Sequence, residues 1–367
     1  MAPPRPRPGI LEIEPYVGGR AEVAGGRPAA KLSANENPLG PSPRAVEAHR
    51  AAADGLHRYP DGTATALRRA IGRRFNVDPE RVVCGAGSDE LITLLVRAYA
   101  GPGDEVLVSR HGFLMYRLAA LAAGCHVVAA PERDLRADVD ALLARVGSRT
   151  RLLFLANPNN PTGSYLTGEE LRRLRRELPE EVLLVIDAAY AEYVDVPDYA
   201  DGLDLARTHD NVVVTRTFSK LFGLAALRLG WMYAHPAIVD VIHRIRGPFN
   251  VSTPAQRAGE AALADVDHQE RSRRHNARWR EWLFRELTAL GLRVHPSVAN
   301  FLLVDFPREP GRDAAAAEAF LEREGLIPRR MDAYGLPHAL RISVGLEAEN
   351  RRLVAALARF LAGEGGR

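Results

Sequence analysis

The stretch NVVVTRTFSKLFGLAALRLGW, Asn211 to Trp231, decides how this chain is read. It opens with NVVVT, a short β-branched apolar run that predicts a buried strand. The run passes into a turn that carries Lys220, and Arg228 follows eight residues later. A lysine placed where a strand has just ended stands in the crevice where open α/β sheets bind ligands. Whether Lys220 is an ordinary edge charge or a reactive amine depends on what the rest of the chain brings beside it.

From about residue 64 to 250, short apolar runs alternate with helical patterns. RVVCGAGSDELITLLVRAYA reads as strand, glycine turn and helix, DEVLVS as a strand, and FLMYRLAALAAG as a helix ending on Gly124. CHVVAA, TRLLFLA and EVLLVID add further strands, and in GEELRRLRREL the leucines recur at helical spacing. Strands alternating with helices predict an α/β fold, with a mixed but mostly parallel sheet covered by helices. After GPFNVSTPAQ the pattern changes to a long polar helix, QERSRRHNARWREWLFRELTAL, and then to an α+β succession ending in LRISVG and a last helix. The expected division is a large domain, residues 49–254, and a smaller α+β domain made of residues 1–48 and 255–367.

Composition excludes several classes. With 46% hydrophobic and 26% charged residues over 367 positions, the chain has material for a full core and for two lobes. A net charge of +3, with arginines interleaved with glutamates, argues for solvated helix faces and against a nucleic-acid partner. Cys84 and Cys125 lie in apolar surroundings with no metal-ligand spacing, so they read as buried thiols in a reducing compartment, and no metal is expected. MAPPRPRPGI is too rich in proline and arginine for a secretory signal, and no apolar run approaches the ~20 residues of a membrane span. The expected location is the cytoplasm.

Three other segments supply partners for Lys220. In RLLFLANPNNPTG a buried strand meets a turn, where proline presets φ and Gly163 accepts a positive φ. A turn alone does not require Asn159 and Asn160 at the strand's carboxyl end, where their amides can reach a ligand. In EVLLVIDAAYAEY, Asp187 follows an apolar run, and a carboxylate at such depth should be protonated, salt-bridged, or holding a cationic ligand atom, the alternative being an Asp that caps the following turn. Tyr190 can present its hydroxyl to the same crevice. The glycine turn of CGAGSDELITLL places Ser88 and Asp89 at a helix start, which serves equally as an anion site or as a simple N-cap. A lysine beside an anion site, a buried carboxylate and a phenol has the surroundings of a Schiff-base lysine. With Arg228 as a charged prong toward the anion, the set describes pyridoxal 5'-phosphate.

The motifs SANENP, NPNNPTG, TFSKLFGLAALRLGW, GPFNVS, NFLLV and YGLPHALRISVG, in this order from about Tyr16 to the last helix, resemble the aminotransferases of fold type I, and specifically the histidinol-phosphate aminotransferase branch. The resemblance implies that Lys220 anchors the cofactor and shuttles a proton, that Asp187 pairs with the ring nitrogen, and that Tyr190 and Asn160 bond the ring's phenolic oxygen. It places Phe113 as a stacking ring, and Ser88, Asp89, Thr217, Ser219 and Arg228 around the phosphate. Tyr59 matches a tyrosine given to the neighbouring subunit's phosphate, which implies a homodimer with shared active sites. Arg341 matches the fork that grips the substrate's acidic end, and Arg329 a second anion-binding arginine, with Arg330 an open alternative because Pro328 and Arg330 depart from the usual pattern. Tyr16, Asn37 and Asn300 match residues lining the substrate cleft.

The implied activity is ping-pong transfer of an amino group between glutamate and a histidinol-phosphate-like or amino acid substrate, as in histidine biosynthesis. Aromatic amino acid transamination, a specialised biosynthetic role, phospho-amino-acid decarboxylation and a non-catalytic cofactor-binding regulator are the alternatives, and residues 1–63 carry no helix-turn-helix pattern that such a regulator would use.

Overall fold

The structure is a computed structural model, and it describes residues 6–7, 9–15, 18 and 29–363. Its centre is a seven-stranded sheet whose strands run, across the sheet, Val82–Gly85, Gly230–Tyr233, Val212–Thr217, Leu183–Asp187, Thr150–Ala156, Glu105–Ser109 and His126–Ala130. Gly230–Tyr233 is antiparallel to both neighbours, and all other adjacent pairs are parallel. Six strands therefore share one direction.

The apolar runs follow from this burial on two faces. Along Leu183–Asp187, Leu184 and Ile186 pack into one core cluster, whereas Leu183 and Val185 pack into the other. Side chains alternate across a strand, so a strand covered on both sides must be apolar at successive positions. Helices Ser88–Tyr99 and Leu114–Ala123 contribute Leu91, Leu95 and Ala120 to the second cluster. Gly124 ends its helix in the left-handed region, as its sequence position predicts.

A second sheet of four antiparallel strands runs Arg293–Val294, Phe301–Asp305, Ala339–Ser343 and Arg329–Arg330. The strand Arg329–Arg330 is absent from the sequence reading, because two charged residues give no apolar alternation. Trp279, Leu283 and Leu287 of the long helix Val266–Ala289 pack with Leu353 and Leu357 of helix Glu347–Leu361 in one cluster. Ala30–Lys31 pairs in parallel with Leu326–Ile327, which ties the N-terminal segment to the C-terminal part of the chain. Among the described residues no helix is long and apolar enough to cross a membrane.

Candidate active site

The six co-directional strands end at one edge of the sheet, and the chain leaving them carries the polar residues. Gly85 leads to Ser88, Ser109 to Phe113 and Ala156 to Asn160, while Asp187 and Thr217 are themselves terminal strand residues. The reversed strand starts at this edge, with Gly230 opposite Thr217, so Arg228 arrives at the same place from the other direction. A cavity of about 250 Å³ opens there. It lies outside the carboxyl ends of the strands, where a sheet of this kind binds ligands.

One end of the cavity is rich in donors. Ser88 opens a twelve-residue helix with no side-chain cap, leaving first-turn N–H groups for an anion. Gly87 precedes it at φ +84, and a Cβ there would lie 2.5 Å from Arg228 Nη2. A Cβ on Gly230 would lie 2.5 Å from the Ser88 nitrogen. The helix start and Arg228 can converge only because both positions lack side chains. Arg228 itself sits at φ 49, an unfavourable region for a residue with a Cβ. Its guanidinium reaches Asp89 at 3.1 Å and Ser219 Oγ at 3.3 Å. Thr217 Oγ1 accepts a hydrogen bond from the Ser219 N–H at 3.1 Å, and Thr217, Ser219 and Ser88 all line the cavity.

Asp187 is buried on another wall. Tyr116 donates to its Oδ2 at 2.7 Å and Thr215 to its Oδ1 at 3.0 Å. Burial pushes the carboxyl up to about 6, although both hydroxyl donors favour the charged form. Lys220 Nζ donates to the Ala34 carbonyl at 3.2 Å and stands 5.6 Å from the Tyr190 ring centroid. The Tyr190 hydroxyl accepts from Asn35 Nδ2 at 2.9 Å, and burial raises this phenol to about 12. Phe113 also lines the cavity and meets Tyr116 edge-on, with ring centroids 5.7 Å apart.

Arg341 and Arg329 line the remaining wall. Arg341 donates to the Ser33 carbonyl at 2.6 Å and to Asn160 Oδ1 at 2.5 Å. Arg329 lies directly across the ladder from Arg341. Arg330 is turned away, in ion pairs with Asp332 at 2.6 Å and Glu318 at 4.0 Å, which separates the two neighbouring arginines.

Several expected residues stand elsewhere. Asn159 does not offer its amide to the cavity; it donates to the His111 carbonyl and to Thr162 Oγ1, bracing the turn. Asn37 is spent on the Leu221 carbonyl at 2.7 Å and Ser272 at 2.9 Å, and Asn300 on the Asn35 carbonyl at 2.9 Å. Neither lines the cavity; both hold the loops that do. Tyr59 is 83% exposed and stacked on Phe249 with centroids 4.7 Å apart, outside its own chain's cavity. Tyr16 lies outside the described residues. Sequence reasoning missed Tyr116, Thr215, Asn35 and Ser33. Only Thr215 carried a signal, as a polar residue inside an apolar strand.

Residues 27–357 match the family model for aminotransferase class I and II. The chain belongs to this family. Its relatives among the class I and II aminotransferases include the histidinol-phosphate aminotransferase of Rhodospirillum centenum, 59% identical over 363 residues, covering 99% of this chain and all of the relative. That of Rhodopseudomonas palustris is 55% identical with the same coverage. The crystal structure of histidinol-phosphate aminotransferase from Sinorhizobium meliloti in complex with pyridoxal-5'-phosphate superposes with a TM-score of 0.90 at 33% identity, over 99% of both chains. The fold type I architecture expected from the motifs is thus the fold of this aminotransferase.

Proposed function

We propose that this aminotransferase uses pyridoxal 5'-phosphate to exchange an amino group between histidinol phosphate and the glutamate/2-oxoglutarate pair. The observation that carries the reading is the single cavity that joins a donor-rich phosphate cradle, a buried carboxylate, a lysine and two arginines. The residues fit the cofactor. The uncapped helix start with Ser88, Thr217, Ser219 and Arg228 suits a dianion. Asp187, a carboxyl raised by burial at the cavity wall, suits the ring nitrogen.

When bound, pyridoxal phosphate supplies an aldehyde carbon that links to amines and a ring that accepts electron density from the substrate α-carbon. Lys220 supplies the amine that anchors it and then takes and returns the proton at the substrate α-carbon. Asp187 keeps the ring nitrogen protonated. Tyr190 and Asn160 would orient the ring through its phenolic oxygen, and Phe113 would cover it. Arg341 and Arg329 hold the substrate's anionic group by planar, charge-assisted forks.

The reading extends to a homodimer in the cytoplasm, in which the exposed Tyr59 serves the partner's phosphate site. Residues 49–254 would act as the cofactor-bearing domain, with 1–48 and 255–367 as the smaller domain. The test is spectral. Purified protein loaded with cofactor should lose its visible absorbance on adding histidinol phosphate and regain it with 2-oxoglutarate. Conversion by phenylalanine but not by histidinol phosphate would replace this substrate with an aromatic one, and carbon dioxide release would mark a decarboxylase.

A further inference from the structure

We propose that Tyr116 is a positioning residue that, together with Thr215, holds Asp187 as a charged, correctly turned acceptor for the cofactor's ring nitrogen. The inference rests on the pyridoxal-phosphate reading above. Tyr116 does not line the cavity, and its one polar atom is spent on Asp187 Oδ2 at 2.7 Å. Thr215 takes the other oxygen, Oδ1, at 3.0 Å. One hydroxyl on each oxygen fixes the plane of the carboxylate and leaves lone pairs for a third donor from the cavity.

The phenol is itself held rigidly. Its ring stacks on Phe154, centroids 4.8 Å apart and planes 10° from parallel, and receives the edge of Phe113. Tyr116 follows Phe113 by one helical turn in Leu114–Ala123. The ring that would cover the cofactor and the hydroxyl that sets its carboxylate are therefore carried by the same turn. Burial raises the phenol well above its ordinary range, so it stays a donor at every working pH.

Burial opposes charge on Asp187, and Asp89 adds to that opposition while Lys220 relieves it. Tyr190 and Tyr199 also feel the carboxylate, both being neutral phenols pushed up by burial. Among the described residues, the two hydroxyls are the side-chain donors that hydrogen-bond the Asp187 carboxylate. Hydrogen bonds to a charged group shift equilibria by roughly ten- to a hundredfold.

The experiment measures the affinity of cofactor-free protein for pyridoxal phosphate as a function of pH, for wild type, Tyr116→Phe, Thr215→Val and Thr215→Ser. Tyr116→Phe should weaken binding about tenfold or more, and its acid-side loss of affinity should move to higher pH because Asp187 protonates sooner. Thr215→Val should move both in the same direction, and Thr215→Ser should restore them. In an Asp187→Asn background Tyr116→Phe should add nothing. An equal loss in that background, or an unchanged pH profile in both hydroxyl deletions, would overturn the proposal in favour of simple packing. Thr215→Val and Thr215→Ser decide the question alone if Tyr116→Phe does not fold. Wild type that binds no pyridoxal phosphate would instead defeat the cofactor reading.

Discussion

Arg329 and Arg341 stand directly opposite each other on neighbouring antiparallel strands, and both line the cavity. Like charges so placed repel, and an anion between them relieves the repulsion. Successive residues of a strand face opposite sides, so Arg330 belongs to the Asp332 and Glu318 side. Arg329→Ala should lower kcat/KM for histidinol phosphate by about ten- to a hundredfold, whereas Arg330→Ala should change it by no more than about twofold. Steady-state kinetics of the two variants checks this.

Lys220→Ala should abolish the visible absorbance of the loaded protein and reduce turnover by at least about a thousandfold, the scale of losing both anchor and proton carrier. The side chain is only half-buried, so the melting temperature of the cofactor-free protein should stay close to wild type. An absorbance titration and a thermal melt on one preparation test both parts.

The Asp187 carboxyl rises from an ordinary 3.8 to about 6 in the folded chain. Well below pH 3.8 it is protonated in both folded and unfolded states and contributes nothing. As pH climbs from 4 to 6 the unfolded chain ionises first, so stability is lost across that window and the penalty is full above it, about 3 kcal/mol. The cofactor-free Asp187→Asn variant escapes this penalty. Its stability relative to wild type should therefore improve between pH 4 and pH 7, as read by denaturant unfolding at the two pH values.

Gly230→Ala introduces a methyl 2.5 Å from the Ser88 nitrogen, so the helix start and the strand must separate. The cofactor's phosphate would then lose part of its cradle. Equilibrium titration of cofactor-free protein should show affinity reduced about tenfold or more, in line with the 1–3 kcal/mol that overpacking costs.

Tyr59 sits in the open, stacked on Phe249, so its proposed duty needs a second copy of the chain. Mixed Tyr59→Ala and Lys220→Ala subunits would rebuild one intact site per heterodimer, with Lys220 from one protomer and Tyr59 from its partner. Activity of the refolded mixture should exceed that of the two parents assayed separately. No gain would place Tyr59 outside the neighbouring site.

Sequence alone determined the layers of the large sheet. Short apolar runs such as LLVID and VVVT, bounded by turn residues and alternating with helical patterns, read as strands covered on both faces. It also placed Lys220, Asp187, Tyr190 and Ser88 beyond buried runs, whereas the reversed strand Gly230–Tyr233 that brings Arg228 to the same edge emerged only in the folded sheet. What only the tertiary structure decided is which polar groups meet. Asn159 and Asn160 are adjacent and chemically identical, yet one braces a turn while the other receives Arg341. Tyr116 reaches Asp187 from an element 71 residues away. Local periodicity records which side of a strand or helix is buried, but a hydrogen bond between distant elements depends on packing distances and strand register, and these exist only after the chain has folded.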